Sequence, residues 1–436
     1  MSMRKTKKSN KIPTVIVVGA GLAGLAAAYE LQMSGQAKVR ILEKNSLPGG
    51  RVKSFPINGQ MTDLGGFIVY PWYKEYLRLV KDIGLKNSLK KLPIKKIYYE
   101  WGKKNSYTAE DKLKFPLKES LKIETALLKK MLLRRINVVQ PLWKQFGDQT
   151  VSQYFSKILG KNSAYERFAD IVAQGYCYPS VKDYRMAVLA PIVWQTFWHG
   201  DIRRGLFFMG DSALFTRTLA KKITQAGGEI IYNAEVEKIT QTTIKTKNKK
   251  IYMADKIVFA AAANSRAFST LLPKVEPCTY TNFLNAVLVF DKEIEMPKIS
   301  EWGAIFYKPN TKLPYQIVSS VNLSSFLPQV SARYVNVNIV VRQKTKSLMT
   351  QKKLLALIKD QTKILFPNAT LKKIAIIADW SAMPIATKKF AKGIEKNQGQ
   401  NNYYFAGDYL GSPSMETAVK TGVRAAKLLL KDIRRA

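Results

Sequence analysis

The first apolar run of the chain, TVIVV at residues 14–18, is short, β-branched and without a polar position after its first residue. That is the pattern of a strand buried on both faces of a parallel sheet. A glycine-rich turn and an alanine-rich stretch follow and predict a helix, and KVRILEK predicts a second strand, which completes a βαβ unit in about 30 residues. From Tyr73 to Arg204 the pattern changes to lysine-rich amphipathic segments such as IETALLKKMLLRRINVVQPLWKQF, with aromatics interleaved and few strand signals, so this stretch reads as helical. DSALFTRTLAKKITQAGGEIIYNAEVEKI returns to helix, Gly-Gly turn and strand, and YMADKIVFAAAA supplies another buried strand. NFLNAVLVFDKEI and ARYVNVNIVVRQ alternate near period two and predict a second, antiparallel sheet.

These patterns predict an α/β fold with a discontinuous Rossmann-like domain, a mixed-sheet substrate domain and a helical insertion. The Rossmann-like domain is assembled from residues 12–72, 205–265 and 376–436. The insertion at 73–204 is expected to face substrate and membrane, the substrate sheet occupies 266–375, and the basic leader 1–11 is expected to be disordered. A chain of 436 residues exceeds the roughly 250 to 300 at which one core stops growing, in keeping with more than one domain.

The leader MSMRKTKKSNK and the apolar run behind it have the parts of a secretory signal. Gly19, Gly21 and Gly24 interrupt that segment, however, and it runs without a break into amphipathic structure, so it reads as retained rather than exported. It is also shorter than the roughly 20 apolar residues that span a bilayer. The expected location is the cytoplasm, with a membrane surface as a peripheral partner. Cys177 and Cys278 are the two cysteines, too few for a disulfide framework or a metal-ligand spacing, and no metal site is expected. His199 is the one histidine, so triad and His-rich metal chemistries would rest on a single imidazole. Lys and Arg outnumber Asp and Glu by 71 to 31, a net charge of +40. The excess is spread along the chain without a nucleic-acid-binding motif, which leaves an anionic membrane surface or compositional bias as its source, and nucleic acid is not expected.

Gly19, Gly21 and Gly24 have the GxGxxG spacing between a predicted strand and a predicted helix, the context in which that motif binds a dinucleotide pyrophosphate. Glu43 closes the second strand, where a carboxylate binds ribose hydroxyls. LPGGRVKSF adds Gly50 and Arg51, a glycine pair and a cation suited to a cofactor whose long body continues along the protein, and DLGGFIVY adds Gly65 and Gly66.

VIVVGAGLAGLAAAYEL, Glu43, GGR, YNAEVEKI and FAGDYLGSPSMETAVKTGVRAA together resemble the flavin-containing amine oxidoreductase superfamily, which includes amine oxidases, protoporphyrinogen oxidases and phytoene-type desaturases. The resemblance implies non-covalent FAD, with Val236 at the adenine, Gly407 and Asp408 at the ribityl-phosphate part, and Met415, Thr417 and Ala418 starting a helix beneath the isoalloxazine. A lysine of amine oxidases that faces flavin N5 through water aligns with Asn285 in NFLNAVLVFD, which counts against amine oxidation. The sequence at that strand and the Ser-Met-Glu of the C-terminal motif are similar to the phytoene desaturase-like branch. The expectation is hydride transfer from a hydrophobic, isoprenoid or polyene-like substrate to flavin N5, with quinone or oxygen as electron acceptor. An amine oxidase, or a non-catalytic flavoprotein binding a membrane or partner, are the alternatives.

Overall fold

The computed structural model describes residues 12–435 apart from 94–96, 103–105, 110–111, 132–136, 200–203, 295–303, 326 and 343–350. The basic leader therefore lies outside the described residues. At the centre of the first sheet is the strand Thr14–Val18, in which Val15, Ile16 and Val17 are wholly buried, as an apolar run in a parallel sheet requires. Lys38–Leu42 and Lys256–Phe259 pair with it on either side, and Glu229–Ile231 and Tyr403–Phe405 close the edges, all parallel. The C-terminal helix Met415–Arg435 packs on the helix Leu22–Met33, because Gly422 lets the two backbones approach. A side chain at Gly422 would put its Cβ 2.2 Å from the Ala23 carbonyl oxygen. The first and last motifs of the chain thus occupy one place.

The second sheet has seven strands in the order Leu371–Ile385, Thr279–Phe290, Tyr334–Val341, Tyr315–Asn322, Ala304–Phe306, Tyr98–Glu100 and Tyr107–Ala109. It is antiparallel except where Ala304–Phe306 meets Tyr98–Glu100. Two boundaries read from the sequence need correction. The insertion 73–204 is not wholly helical: it gives the sheet Tyr98–Glu100 and Tyr107–Ala109, each three residues long and too short to display a period. The division at 375/376 falls inside the strand Leu371–Ile385, which pairs with Thr279–Phe290 over most of its length, so the substrate sheet extends to residue 385. Lysines and an aspartate within LKKIAIIADWSAMPI hide that strand from pattern reading.

The remainder of the insertion is helical, including Leu117–Met131, Val151–Leu159, Ala164–Gly175 and Met186–His199. These share a core of Ile123, Phe146, Tyr154, Phe155, Tyr178, Tyr184 and Met186. Among the described residues, no helix is long and apolar enough to cross a membrane.

Candidate functional site

The glycine motif lies at the carboxyl end of the central strand. Gly24 admits no side chain, since a Cβ there would sit 1.9 Å from the Gly19 carbonyl oxygen. Gly21 and Gly50 lie face to face, and a Cβ on Gly50, which has a left-handed φ of +60°, would stand 3.3 Å from Gly21 Cα. The Gly49 N–H donates to Ala20 O at 2.8 Å, so the two loops run backbone against backbone and leave a strip without side chains. The helix that begins at Leu22 has no side-chain cap at Gly21, which leaves its first N–H groups to an anion. Glu43 stands beside the strip: Ala20 N–H donates to Oε2 at 2.7 Å, and Asn45 donates to Oε1 from its backbone at 2.9 Å and its side chain at 2.7 Å. A carboxylate takes about four donors, so one acceptor position remains for a ribose hydroxyl. Val236 begins a strand two residues after Ala234, whose N–H donates to the Glu43 carbonyl at 2.8 Å, and this puts it at the same end of the groove.

Further along, Arg51 bridges the two sheets. It donates to Asp408 Oδ1 at 2.7 Å and to the Ala382 carbonyl of the substrate sheet. Burial pushes the Arg51 pKa down, but the charge and hydrogen bond of Asp408, helped by Tyr280 and Tyr178, together outweigh it and hold the guanidinium above its ordinary value. Gly407 is fastened to the C-terminal helix, its N–H donating to Thr421 Oγ1 at 3.0 Å. Ser414 caps that helix by accepting from Thr417 N–H at 3.1 Å, and the Thr417 hydroxyl donates to Ser412 O at 2.6 Å. Met415 Sδ lies 3.5 Å from the position of a Cβ on Gly66, so the Gly65–Gly66 segment rests on the first turn of this helix, which also buries Ala418. Close backbone approaches and hydrogen bonds thus link Gly19, Gly21, Gly24, Glu43, Gly50, Arg51, Gly66, Gly407, Asp408, Met415 and Thr417 in one continuous line, the candidate cofactor groove.

Two buried carboxylates hold this frame, and the sequence reading passed over both as functional parts. Asp63 accepts from Ser54 Oγ at 2.8 Å, Ser212 N–H at 2.8 Å and Ser212 Oγ at 3.0 Å, and burial pushes its pKa up to about 6. Glu416 accepts from the backbone N–H groups of Glu75 at 3.1 Å and Tyr76 at 2.9 Å, which ties the C-terminal helix to the helix Lys74–Asp82. Burial pushes its pKa up to about 7. The thiols of Cys177 and Cys278 are also pushed up by burial, each to about 12, so neither is a thiolate at neutral pH. His199 ends its helix exposed. Among the described residues, no group of His, Cys, Asp and Glu is arranged to hold a metal ion.

On the substrate sheet, Asn285 opposes Asn338 in register, and Asn338 opposes Ser319. Their amides form a ladder whose direction starts at an unambiguous acceptor. Asn336 Nδ2 donates to the Asp63 backbone carbonyl at 3.4 Å, so its Oδ1 faces Asn285. Asn285 must then present its amino group, which donates to Asn336 Oδ1 at 3.2 Å and to Asn338 Oδ1 at 2.5 Å, while Asn338 Nδ2 donates to Ser319 Oγ at 2.9 Å. What remains is Asn285 Oδ1, buried and without a partner among the described residues. The next pair on this face is apolar, Phe283 against Val340, and Val318, Ala382, Cys177 and Met383 pack around it. Asn336, Asn338 and Ser319 were not singled out from the sequence. The signal was available: in YVNVNIVV two asparagines stand on one face of a strand.

The groove fits FAD. An extended dinucleotide needs a side-chain-free strip at its pyrophosphate, a carboxylate at a ribose and a helix start nearer its flavin end, and Gly21/Gly50, Glu43 and the Ser414-capped helix offer these. A model of the flavin-containing amine oxidoreductase family matches residues 22–430. A flavin-containing amine oxidase of Oncorhynchus mykiss is 27% identical over 289 residues, 60% of this chain and 52% of that protein. The chain therefore spans about half the length of that relative. Among solved structures, the CLA-producing fatty acid isomerase from P. acnes has a TM-score of 0.70 at 14% identity, covering 98% of this chain and 99% of that one. Cyclohexylamine oxidase from Brevibacterium oxydans has a TM-score of 0.70 at 16% identity, covering 98% and 100%. At such identities the two structures are alike in fold.

Proposed function

The chain belongs to the flavin-containing amine oxidoreductases, a family of enzymes built on FAD, and on that premise we propose that it oxidises a neutral, hydrophobic substrate of isoprenoid or polyene type. The observation that carries this reading is the uncharged amide ladder at Asn285, the position that aligns with the lysine of amine oxidases. FAD, held at Gly21, Gly50, Glu43 and the start of the C-terminal helix, would supply a two-electron hydride acceptor, with quinone or oxygen as the terminal electron acceptor. The chain's own residues have simpler tasks. Phe283, Val318 and Val340 form a closed apolar core next to the ladder and keep water out of it. Asn336 and Asn338 lock the Asn285 amide so that its buried oxygen is left as a neutral, unused acceptor, and Arg51 and Asp408 satisfy one another within the groove.

Charge supports the same reading. A cationic amine approaches a body of net charge +40 against its field, whereas a neutral lipid does not feel that field. The test is anaerobic bleaching of the flavin absorbance. Purified FAD-loaded protein is expected to bleach with isoprenoid polyenes and not with putrescine or cyclohexylamine. Rapid bleaching by the amines alone would overturn the assignment, and bound FAD that neither class reduces would indicate a non-catalytic flavoprotein.

A further inference from the structure

The helix Leu117–Met131 is fastened on one side and bare on the other. On the fastened side Ile123 is buried, Leu127 packs on the same core, and Glu119 Oε2 accepts from the Ala164 N–H at 2.9 Å. On the bare side Leu117, Leu121 and Leu128 are 74%, 58% and 44% exposed. At about 100° per residue these three fall within about 40° of one another, and Lys118, Lys122 and Lys129 form a second exposed row about 100° further round. Folding gives no reason for three exposed leucines on one helix face, and exposed apolar surface gathered in this way marks a partner.

We propose that this leucine face docks on an anionic lipid bilayer, the leucines entering the acyl boundary and the lysine row meeting the headgroups. Charge complementarity selects that occupant. A second copy of the chain would bring its own lysine row and its own net charge of +40 to the same contact, so like charges would oppose one another. The exposed row is purely aliphatic, and so lacks the aromatic and arginine anchors that centre protein interfaces. Glu124 is exposed on the leucine side and opposes an anionic surface, so neutralising it strengthens docking. The surface is argued independently of the substrate class.

The experiment is flotation of the FAD-loaded protein with vesicles of phosphatidylcholine alone and with added phosphatidylserine, at low salt and at salt that screens exposed charge. Wild type is expected to bind the phosphatidylserine vesicles and to retain part of that binding at high salt. Leu117→Gln, Leu121→Gln and Leu128→Gln together should abolish the salt-resistant part, a loss of at least tenfold, with FAD content unchanged. The single change Leu121→Gln should give a smaller loss in the same sense. Lys118→Gln, Lys122→Gln and Lys129→Gln together should weaken low-salt binding about a hundredfold, from about fivefold per lysine. Glu124→Gln should raise it. A triple leucine variant that floats like wild type would sink the proposal. So would a wild-type dimer in sedimentation that the leucine variant dissolves, since a second copy would then be the occupant.

Discussion

The cofactor groove and the amide ladder meet at Asp63, yet they are held by opposite means. In the groove backbone meets backbone: Gly24 against the Gly19 carbonyl, Gly50 against Gly21, and Gly422 of the C-terminal helix against Ala23. One added methyl group has nowhere to go. Along the ladder the backbone is a regular antiparallel sheet, and what matters is which end of each amide faces which neighbour. The first region is specified by shape and is intolerant of volume. The second is specified by hydrogen-bond direction and tolerates volume better than a change of polarity.

The sharpest way to break the comparison is Gly24→Ala. Its Cβ would stand 1.9 Å from a backbone oxygen that cannot swing aside, so the glycine loop must shift. Overpacking of this kind costs about 3 kcal/mol or more. FAD retention through gel filtration is expected to fall at least tenfold, with a lowered Tm. Retained FAD at an unchanged Tm would mean that the groove is more plastic than its contacts indicate.

A second prediction concerns the carboxylates that frame the groove, and its sign follows from burial. The folded-state pKa of Glu416 is raised, up to about 7, above its ordinary value. Below about pH 4.5 both folded and unfolded chains hold the proton, and the full stabilisation is present. As pH rises towards 7 the unfolded chain has released it while the folded chain retains it, so stability falls. Against Glu416→Gln, which keeps an acceptor for the Tyr76 N–H, wild type should lose up to about 3 kcal/mol across that window. Asp63 is raised in the same sense, and it cancels when the two proteins are compared. Parallel Tm–pH curves would show that Glu416 carries no such shift.

Across the boundary at Asp63 the expected effect is smaller and of another kind. Asn338→Leu removes one of the two acceptors that hold the Asn285 amide and leaves Ser319 without its donor. The cost to stability is about 1 to 2 kcal/mol. FAD affinity should stay as in wild type while the rate of flavin reduction by substrate falls, because the Asn285 amide is then held by Asn336 alone and is free to turn. Loss of FAD in this variant would show that ladder and groove are one unit.

The same contrast explains what could be read in advance. Shape-specified positions have few allowed residues, so Gly19, Gly21, Gly24 and the glycines of the GGR segment announce themselves, and TVIVV is legible as a strand because burial on both faces permits little else. Polarity-specified positions have no such signature. An asparagine on a strand face looks the same whether its partner is water or a second asparagine, and only the register of Asn285 with Asn338 shows which it is. Glu416 was visible as part of a motif, but its job depends on a helix start more than three hundred residues earlier in the chain. The strands at 98–100 and 107–109 contain strand-favouring Tyr and Thr but are too short to display a period, and the sheet edge that receives them decides where they lie.

The smallest effect tests whether the helical region is energetically separate from both. Thr150 starts the helix Val151–Leu159 with a reciprocal cap: its Oγ1 accepts from Gln153 N–H at 3.1 Å, and its own N–H donates to Gln153 Oε1 at 2.9 Å. Thr150→Ala removes the side-chain half of that exchange and should cost about 1 kcal/mol. None of its partners touches the groove or the ladder, so both FAD affinity and the rate of flavin reduction should match wild type while Tm drops by a few degrees. A change in either would mean that the helices set the position of the substrate sheet. The division into shape-held and polarity-held regions would then have to include a third part, whose packing transmits to both.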